Sequence, residues 1–102
     1  CGTAVEFSSV TTIKVDLIKG WTLYWPRLET EDTIYGIGSA LPLEYATRIP
    51  YRELIRWMEA DYGFDKWDAY MMLSQCGIVR LGNFVDPKYS VAAGIRKKFL
   101  VE

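Results

Sequence analysis

Residues 50–77 read PYRELIRWMEADYGFDKWDAYMMLSQCG and decide the fold, because here the hydrophobic pattern becomes helical. Over residues 51–62, apolar side chains recur at steps of three and four and therefore share one helix face: Leu54, Ile55, Met58 and Tyr62. Pro50 fits the first helical turn, where its missing N–H costs nothing. Gly63 fits the C-terminal stop. The stretch predicts a helix that starts at Pro50 and ends before Gly63.

A second helix is predicted directly after the first. Asp65 can cap its N-terminus, and Asp68 adds negative charge where the helix dipole favours it. Gly77 is placed to end the helix. One stripe of this helix carries four side chains at helical spacing: Trp67, Tyr70, Met71 and Ser74.

The residues before the helical pair have a strand-like pattern. Apolar and β-branched residues recur close to every second position over residues 5–17, and extended patterns continue over 21–25 and 33–37. Gly36 and Gly38 in the last of these indicate a bulge or a close approach of another backbone. We therefore expect β-sandwich-like or jelly-roll-like strands in the N-terminal half.

The residues after the helical pair return to an extended pattern. A strand is predicted over residues 78–85, interrupted at Gly82, and extended pieces over 91–95 and 99–101. Strands, two adjacent helices and further strands predict an α+β fold. We expect a single unit over residues 1–102, in which a strand-rich region (1–41) is followed by a helical pair (50–77) and by further strands (78–101).

Composition and charge exclude several classes of partner. The chain has 102 residues, enough for one core, and a net charge of -1 gives no reason to propose nucleic acid or an anionic membrane. No apolar stretch approaches the roughly 20 residues that a membrane span needs. Cys1 and Cys76 are interpreted as two reduced thiols in a cytoplasmic protein.

The sequence contains no histidine, which restricts its chemistry. A Ser-His-Asp triad, a Cys-His pair and a His-containing metal site are excluded within these residues. Hydrolytic chemistry would rest on carboxylates, lysine, tyrosine or cysteine. The acidic residues Asp61, Asp65 and Asp68 are interpreted as capping and solvated groups. Arg80, inside an apolar strand, is interpreted as a structural residue at an edge or in an ion pair.

The segment Cys1-Gly2-Thr3-Ala4-Val5-Glu6 is the main candidate for chemistry. It places a thiol, a hydroxyl, an approachable backbone and a carboxylate close together. Glu6 could act as a general base on water or on an amide. The alternative, a surface strand with one ordinary glutamate, stays open from the residues alone.

Four segments, in order along nearly the whole chain, resemble those of the acetamidase/formamidase family. The first is Cys1 to Glu6, similar to the family's E-x-C-G-T-A/G-I/V-E, and the second is Pro26-Arg27-Leu28-Glu29-Thr30, similar to P-R-x-E-T. The third, residues 68–74, reads DAYMMLS and resembles E-A-Y-x-L-L-S. The fourth, residues 77–87, reads GIVRLGNFVDP and resembles G-D-L-R-I-S-Q-V-V-D-P. The chain departs from the last pattern at Ile78, where the family has Asp, and at Gly82-Asn83, where it has Ser-Gln.

The resemblance implies the C-terminal portion of a longer hydrolase that cleaves the carbon–nitrogen bond of small linear amides such as formamide and acetamide, with release of ammonia. It implies a divalent metal, zinc or calcium, held mainly by residues outside this chain. Glu6 would be the base or a carboxylate beside the metal, while Cys1, Gly2 and Thr3 would line the substrate pocket. The implied partners are an upstream portion of the same protein and further copies in a homo-oligomer.

Two other interpretations remain. The chain could be a non-catalytic module of amidase ancestry that serves assembly or dimerisation. Cys1 could also be an N-terminal nucleophile that uses its own amine as base. The chain alone is expected to be inactive if it is an assembly module. The same is expected if it is the C-terminal portion of a hydrolase whose other residues lie upstream.

Overall fold

The computed structural model describes residues 5–83 and 87–100, and over these residues the predicted α+β class is confirmed. A four-stranded antiparallel sheet carries helix α1 across its central strands, and α2 packs beside α1. The elements are, in chain order, β1 Arg27–Glu29, β2 Thr33–Ala40, α1 Leu43–Tyr62, α2 Lys66–Cys76, β3 Ile78–Asn83, β4 Tyr89–Arg96 and a 3₁₀ turn Lys97–Phe99.

The sheet has the order β1-β2-β4-β3, so β2 and β4 form its centre. Their register is continuous from Thr33 opposite Arg96 to Ala40 opposite Tyr89. Alternate side chains of both strands point to the helices, and Ile34, which lies opposite Ile95, is fully buried with it. The core between sheet and helices consists of Ile34, Leu54, Trp57, Met58, Ala69, Leu73, Ala93, Ile95 and Leu100.

Helix α1 begins at Leu43, and the predicted start at Pro50 is wrong. Pro50 lies inside the helix, where it cannot donate the hydrogen bond to the carbonyl four residues earlier. Packing explains why the helix continues through it. Pro50 and Ala46 are buried against β2, and this burial offsets the lost hydrogen bond.

The predicted C-termini of both helices and the predicted N-terminus of α2 are confirmed. Gly63 has a φ of 70° and its N–H donates to the Met58 carbonyl, which closes α1. The Asp65 carboxylate accepts a hydrogen bond of 2.8 Å from the Trp67 N–H, which caps α2. Gly77 ends α2. The stripe predicted on α2 is its exposed side, since the buried residues of this helix are Ala69 and Leu73.

The strands predicted over residues 5–17 and 21–25 are wrong for this structure. Both stretches lack regular strand structure, because no strand among the described residues pairs with them. An extended piece was also predicted at 99–101, but Phe99 belongs to the 3₁₀ turn, and residue 101 lies outside the described residues. None of the helices in the described residues is long and apolar enough to cross a membrane.

Candidate functional site

The Pro26-Arg27-Leu28-Glu29-Thr30 segment forms the first strand of a hairpin, and Arg27 is its buried residue. The Arg27 side chain is 7% exposed, and its Nε donates a 2.9 Å hydrogen bond to Oε1 of Glu53 on α1. The Trp21 and Trp57 rings stack on the guanidinium, with their centroids 5.1 Å and 5.0 Å from its central carbon. The two rings and the carboxylate together hold the cation away from water.

Glu53 joins two arginines. Its side chain is 0% exposed, and its second oxygen accepts a 3.3 Å hydrogen bond from Nη1 of Arg56, one helical turn further along α1. The Arg56 guanidinium in turn lies 4.3 Å from the centroid of the Tyr24 ring. Nη1 of Arg27 is buried without a hydrogen-bond partner among the residues that the structure describes. The cluster therefore ties residues 21–27 to α1.

The other polar residues of the segment stabilise the hairpin and its neighbour. Glu29 forms an ion pair of 2.6 Å with Nζ of Lys97, and this hydrogen bond raises the pKa of the lysine. The hydroxyls of Thr33 and Thr30 donate to the Asp32 carboxylate at 2.9 Å and 3.0 Å, and they lower its pKa. The segment therefore has a structural role, because its charged and hydroxyl side chains form ion pairs and hydrogen bonds with other residues of the chain.

Glu6, the predicted catalytic residue, lies in the exposed stretch that precedes this cluster. Its neighbours Val5 and Phe7 are 89% and 81% exposed, and Glu6 makes no hydrogen bond or ion pair within the described residues. The predicted pocket residues Cys1, Gly2 and Thr3 lie outside the described residues. The role of all four stays a prediction.

The acidic residues around the helix–helix turn have structural partners. Asp61 accepts a 2.7 Å hydrogen bond from the Trp57 indole, and Asp65 caps α2. Over residues 5–83 and 87–100, no three His, Cys, Asp or Glu side chains lie close enough together to hold a metal ion. Arg80 is exposed on β3, an edge strand, in agreement with its structural interpretation. These residues therefore provide no metal centre by themselves.

A concave feature lies at the C-terminal end of α1. It is an open groove of about 650 Å³ between α1, α2 and the 3₁₀ turn. Its walls are about equally polar and apolar, and its carboxylates come from Asp65, which is engaged in capping, and Asp68. A nucleophile paired with a base is missing from its described lining, so its shape alone supports no catalytic role.

Two solved structures, both of acetamidases, are similar to this chain. The acetamidase from Yersinia enterocolitica superposes with a TM-score of 0.81 and 64% sequence identity, over 83% of this chain and 26% of that one. The predicted resemblance to acetamidases is confirmed. An acetamidase from Bacillus halodurans superposes with a TM-score of 0.66 over 72% of this chain and 25% of that one, at 20% identity, which shows the shared fold alone.

The chain spans about a quarter of the length of both solved acetamidases. No protein-family model matches the sequence. No curated protein matches it either. The acetamidase likeness therefore rests on structure and on the high identity to the Yersinia enzyme, and it concerns a portion of such a protein.

Glu53 is the residue that sequence reasoning missed. The signal was present, because Glu53 falls on the same helical stripe as the buried residues Ala46, Ile49 and Trp57. A carboxylate in an apolar stripe needs a cation partner. Arg27 supplies that partner from a strand 26 residues away, and the helical pattern gives no information about so distant a contact.

Proposed function

We propose that this chain belongs to a hydrolase that cleaves the carbon–nitrogen bond of small linear amides such as formamide and acetamide. The supporting observation is the 64% identity and the TM-score of 0.81 to the Yersinia acetamidase over 83% of the chain. Because the chain spans 26% of that enzyme, the remaining polypeptide supplies the rest of the proposed site.

In this proposal Glu6 is the general base. An ionised carboxylate accepts a proton from water while the water oxygen forms a bond to the amide carbon. The proton then passes to the leaving nitrogen as the carbon–nitrogen bond breaks, so that amide and water become a carboxylic acid and ammonia. Glu6 is assigned this role from the resemblance of residues 1–6 to the acetamidase/formamidase segment, and its side chain is exposed.

A divalent metal, zinc or calcium, would polarise the amide carbonyl or acidify the water in such a reaction. The described residues do not fit such an ion by themselves, since they contain no cluster of three candidate ligands. The 102-residue sequence also lacks histidine. The proposal accordingly assigns the metal ligands to the remaining polypeptide, and it assigns Cys1, Gly2 and Thr3 to the wall of the substrate pocket.

Ammonia release from formamide and acetamide tests this function. The chain would be assayed alone and after co-expression with the portion of the Yersinia acetamidase that it does not match, with and without added zinc or calcium. We expect activity in the co-expressed complex only. The variant Glu6→Gln should lower kcat by about 10²–10⁴-fold, which is the usual contribution of a general base, with little change in KM.

The matched control is Glu31→Gln, which alters an exposed glutamate of the β1–β2 hairpin. It should leave kcat unchanged. A complex in which Glu6→Gln behaves like Glu31→Gln would show that Glu6 is not the base.

A second candidate function is a non-catalytic assembly module. The observation in its favour is that residues 5–18 expose several large apolar side chains. The described residues also contain no group of three side chains that could hold a metal ion. A co-expressed complex that is folded and associated, yet releases no ammonia under any metal condition, would favour this function over the amidase.

A further inference from the structure

Residues 5–18 are exposed and without regular secondary structure, and their apolar side chains are concentrated at odd positions. These side chains are between 76% and 89% exposed: Val5, Phe7, Ile13, Val15 and Leu17. The even positions are mostly polar, with Val10 and Ile18 as exceptions: Glu6, Ser8, Thr12, Lys14 and Asp16. Because Ser9 and Thr11 are polar residues at odd positions, the alternation is continuous over residues 5–8 and 12–17. A period of two is the pattern of a strand with one buried face.

An ion pair between two exposed side chains supports an extended backbone at residues 14–16. Nζ of Lys14 lies 3.0 Å from Oδ2 of Asp16. Side chains two residues apart lie on the same side of an extended chain, whereas in a helix they point away from each other. Lys14 and Asp16 therefore share one side, and Ile13, Val15 and Leu17 lie on the other.

The segment is incomplete as a strand. It pairs with no strand of the described sheet, so the sheet hydrogen bonds of a strand are missing along it. Its large apolar side chains would be stabilised by burial, because apolar surface is then removed from water. A partner that offers both a sheet edge and an apolar surface would satisfy the two deficits together.

The edge strands of this chain are too short to be that partner. A strand of the length of residues 5–18 extends for about 45 Å at roughly 3.3 Å per residue. The edge strands β1 and β3 have 3 and 6 residues, so neither could pair with more than half of the segment. The match covers 26% of the Yersinia acetamidase. About three quarters of that enzyme therefore lies outside the matched portion. That remainder has the length to provide a long edge.

We propose that residues 5–18 are a donor strand that pairs with an edge strand in the remainder of an acetamidase-type polypeptide. The odd-numbered apolar side chains enter the apolar interior of that remainder, and Glu6 stays on the opposite, polar face. The proposal rests on the proposed function for the identity of its partner. Main-chain hydrogen bonds supply the affinity, and the alternate side chains supply the register.

Hydrogen–deuterium exchange tests the pairing directly. The 102-residue chain would be measured alone and in complex with the co-expressed remainder of the Yersinia acetamidase. Amides of residues 5–18 should exchange freely in the isolated chain and at least about a hundredfold more slowly in the complex, as for paired strands with substantial local stability. Amides that still exchange freely within a formed complex would overturn the proposal, as would failure of the two polypeptides to associate.

A pair of variants tests which side of the strand is buried. Val15→Lys places a charge on the apolar side and should weaken the complex by at least about tenfold, whereas Thr12→Lys places the same charge on the polar side and should bind normally. Both positions are exposed in the isolated chain, so neither variant should change its unfolding. Equal binding by the two variants would contradict the proposal.

The outcomes separate this inference from the proposed function. Slow exchange together with absent ammonia release would retain the donor strand and reject the amidase. An active complex in which the amides of residues 5–18 exchange freely would support the amidase and reject the donor strand. Slow exchange in the isolated chain that increases with concentration would identify a second copy as the partner and reject the proposal.

Discussion

Glu53 shows how a single buried carboxylate connects distant regions of this chain. It lies between Arg27 of β1 and Arg56 of α1, at 2.9 Å and 3.3 Å, and water does not reach it. The cost of burying these charges is offset only while the carboxylate and the cations stay together. The conformation of the chain from Trp21 to Arg27 therefore depends on a residue in the middle of α1.

Replacing this carboxylate should be costly. Glu53→Gln leaves the Arg27 guanidinium buried without a counter-charge, and we expect the free energy of unfolding to fall by about 3 kcal/mol. Urea denaturation measures the difference, provided that the slope with urea is unchanged. Glu59→Gln, at an exposed position on the same helix, is the control and should change the free energy by less than about 0.5 kcal/mol. Equal midpoints for the two variants would show that the cluster contributes nothing.

At the scale of elements, the contact between β2 and α1 depends on two glycines. A Cβ atom at Gly36 would lie 2.5 Å from the Pro50 carbonyl oxygen, and one at Gly38 would lie 2.5 Å from the Ala46 carbonyl oxygen. Both obstacles are backbone atoms, which cannot turn away as a side chain can. The sheet and the helix can approach this closely only because these positions lack side chains.

Gly36→Ala and Gly38→Ala should therefore each destabilise the fold by about 1–3 kcal/mol, the usual cost of overpacking. Thermal unfolding followed by circular dichroism would detect the change. Gly82→Ala is a matched control in β3, since its Cβ would meet the nearest atom at 3.5 Å, an ordinary contact distance. The prediction fails if all three variants unfold at the temperature of the unchanged protein.

The elements also show which features of the fold were predictable from sequence. The end of α1 at Gly63 depends on local properties, so the sequence predicted it correctly. For Gly36 and Gly38 the sequence left a bulge or a close approach open, and the structure shows the close approach, to the backbone of α1. The start of α1 was wrong, because burial of Pro50 against β2 outweighs its local preference for a first turn. The sequence identified Glu6 as a candidate carboxylate but not the groups around it, because residues that are close in space need not be adjacent in sequence.

At the scale of the whole molecule, the described chain consists of a folded body and an exposed segment without regular secondary structure. The radius of gyration is 15.2 Å, whereas a compact domain of this length has about 13 Å. Residues 5–20 are exposed throughout, and the first side chain that stacks on the body is Trp21. The body should therefore fold without the segment.

Two shortened chains test this division of the molecule. A chain that starts at Trp21 retains the stacks on Arg27 and Arg56, so its free energy of unfolding should stay within about 0.5 kcal/mol of that of the full chain. A chain that starts at Pro26 loses both the Trp21 and the Tyr24 stack and should be less stable by about 2 kcal/mol. Urea denaturation measures both, and small-angle scattering should show the radius of gyration of the first falling towards about 13 Å. If the chain that starts at Trp21 were as unstable as the one that starts at Pro26, residues 5–20 would belong to the folded body, and they could not be available as a donor strand.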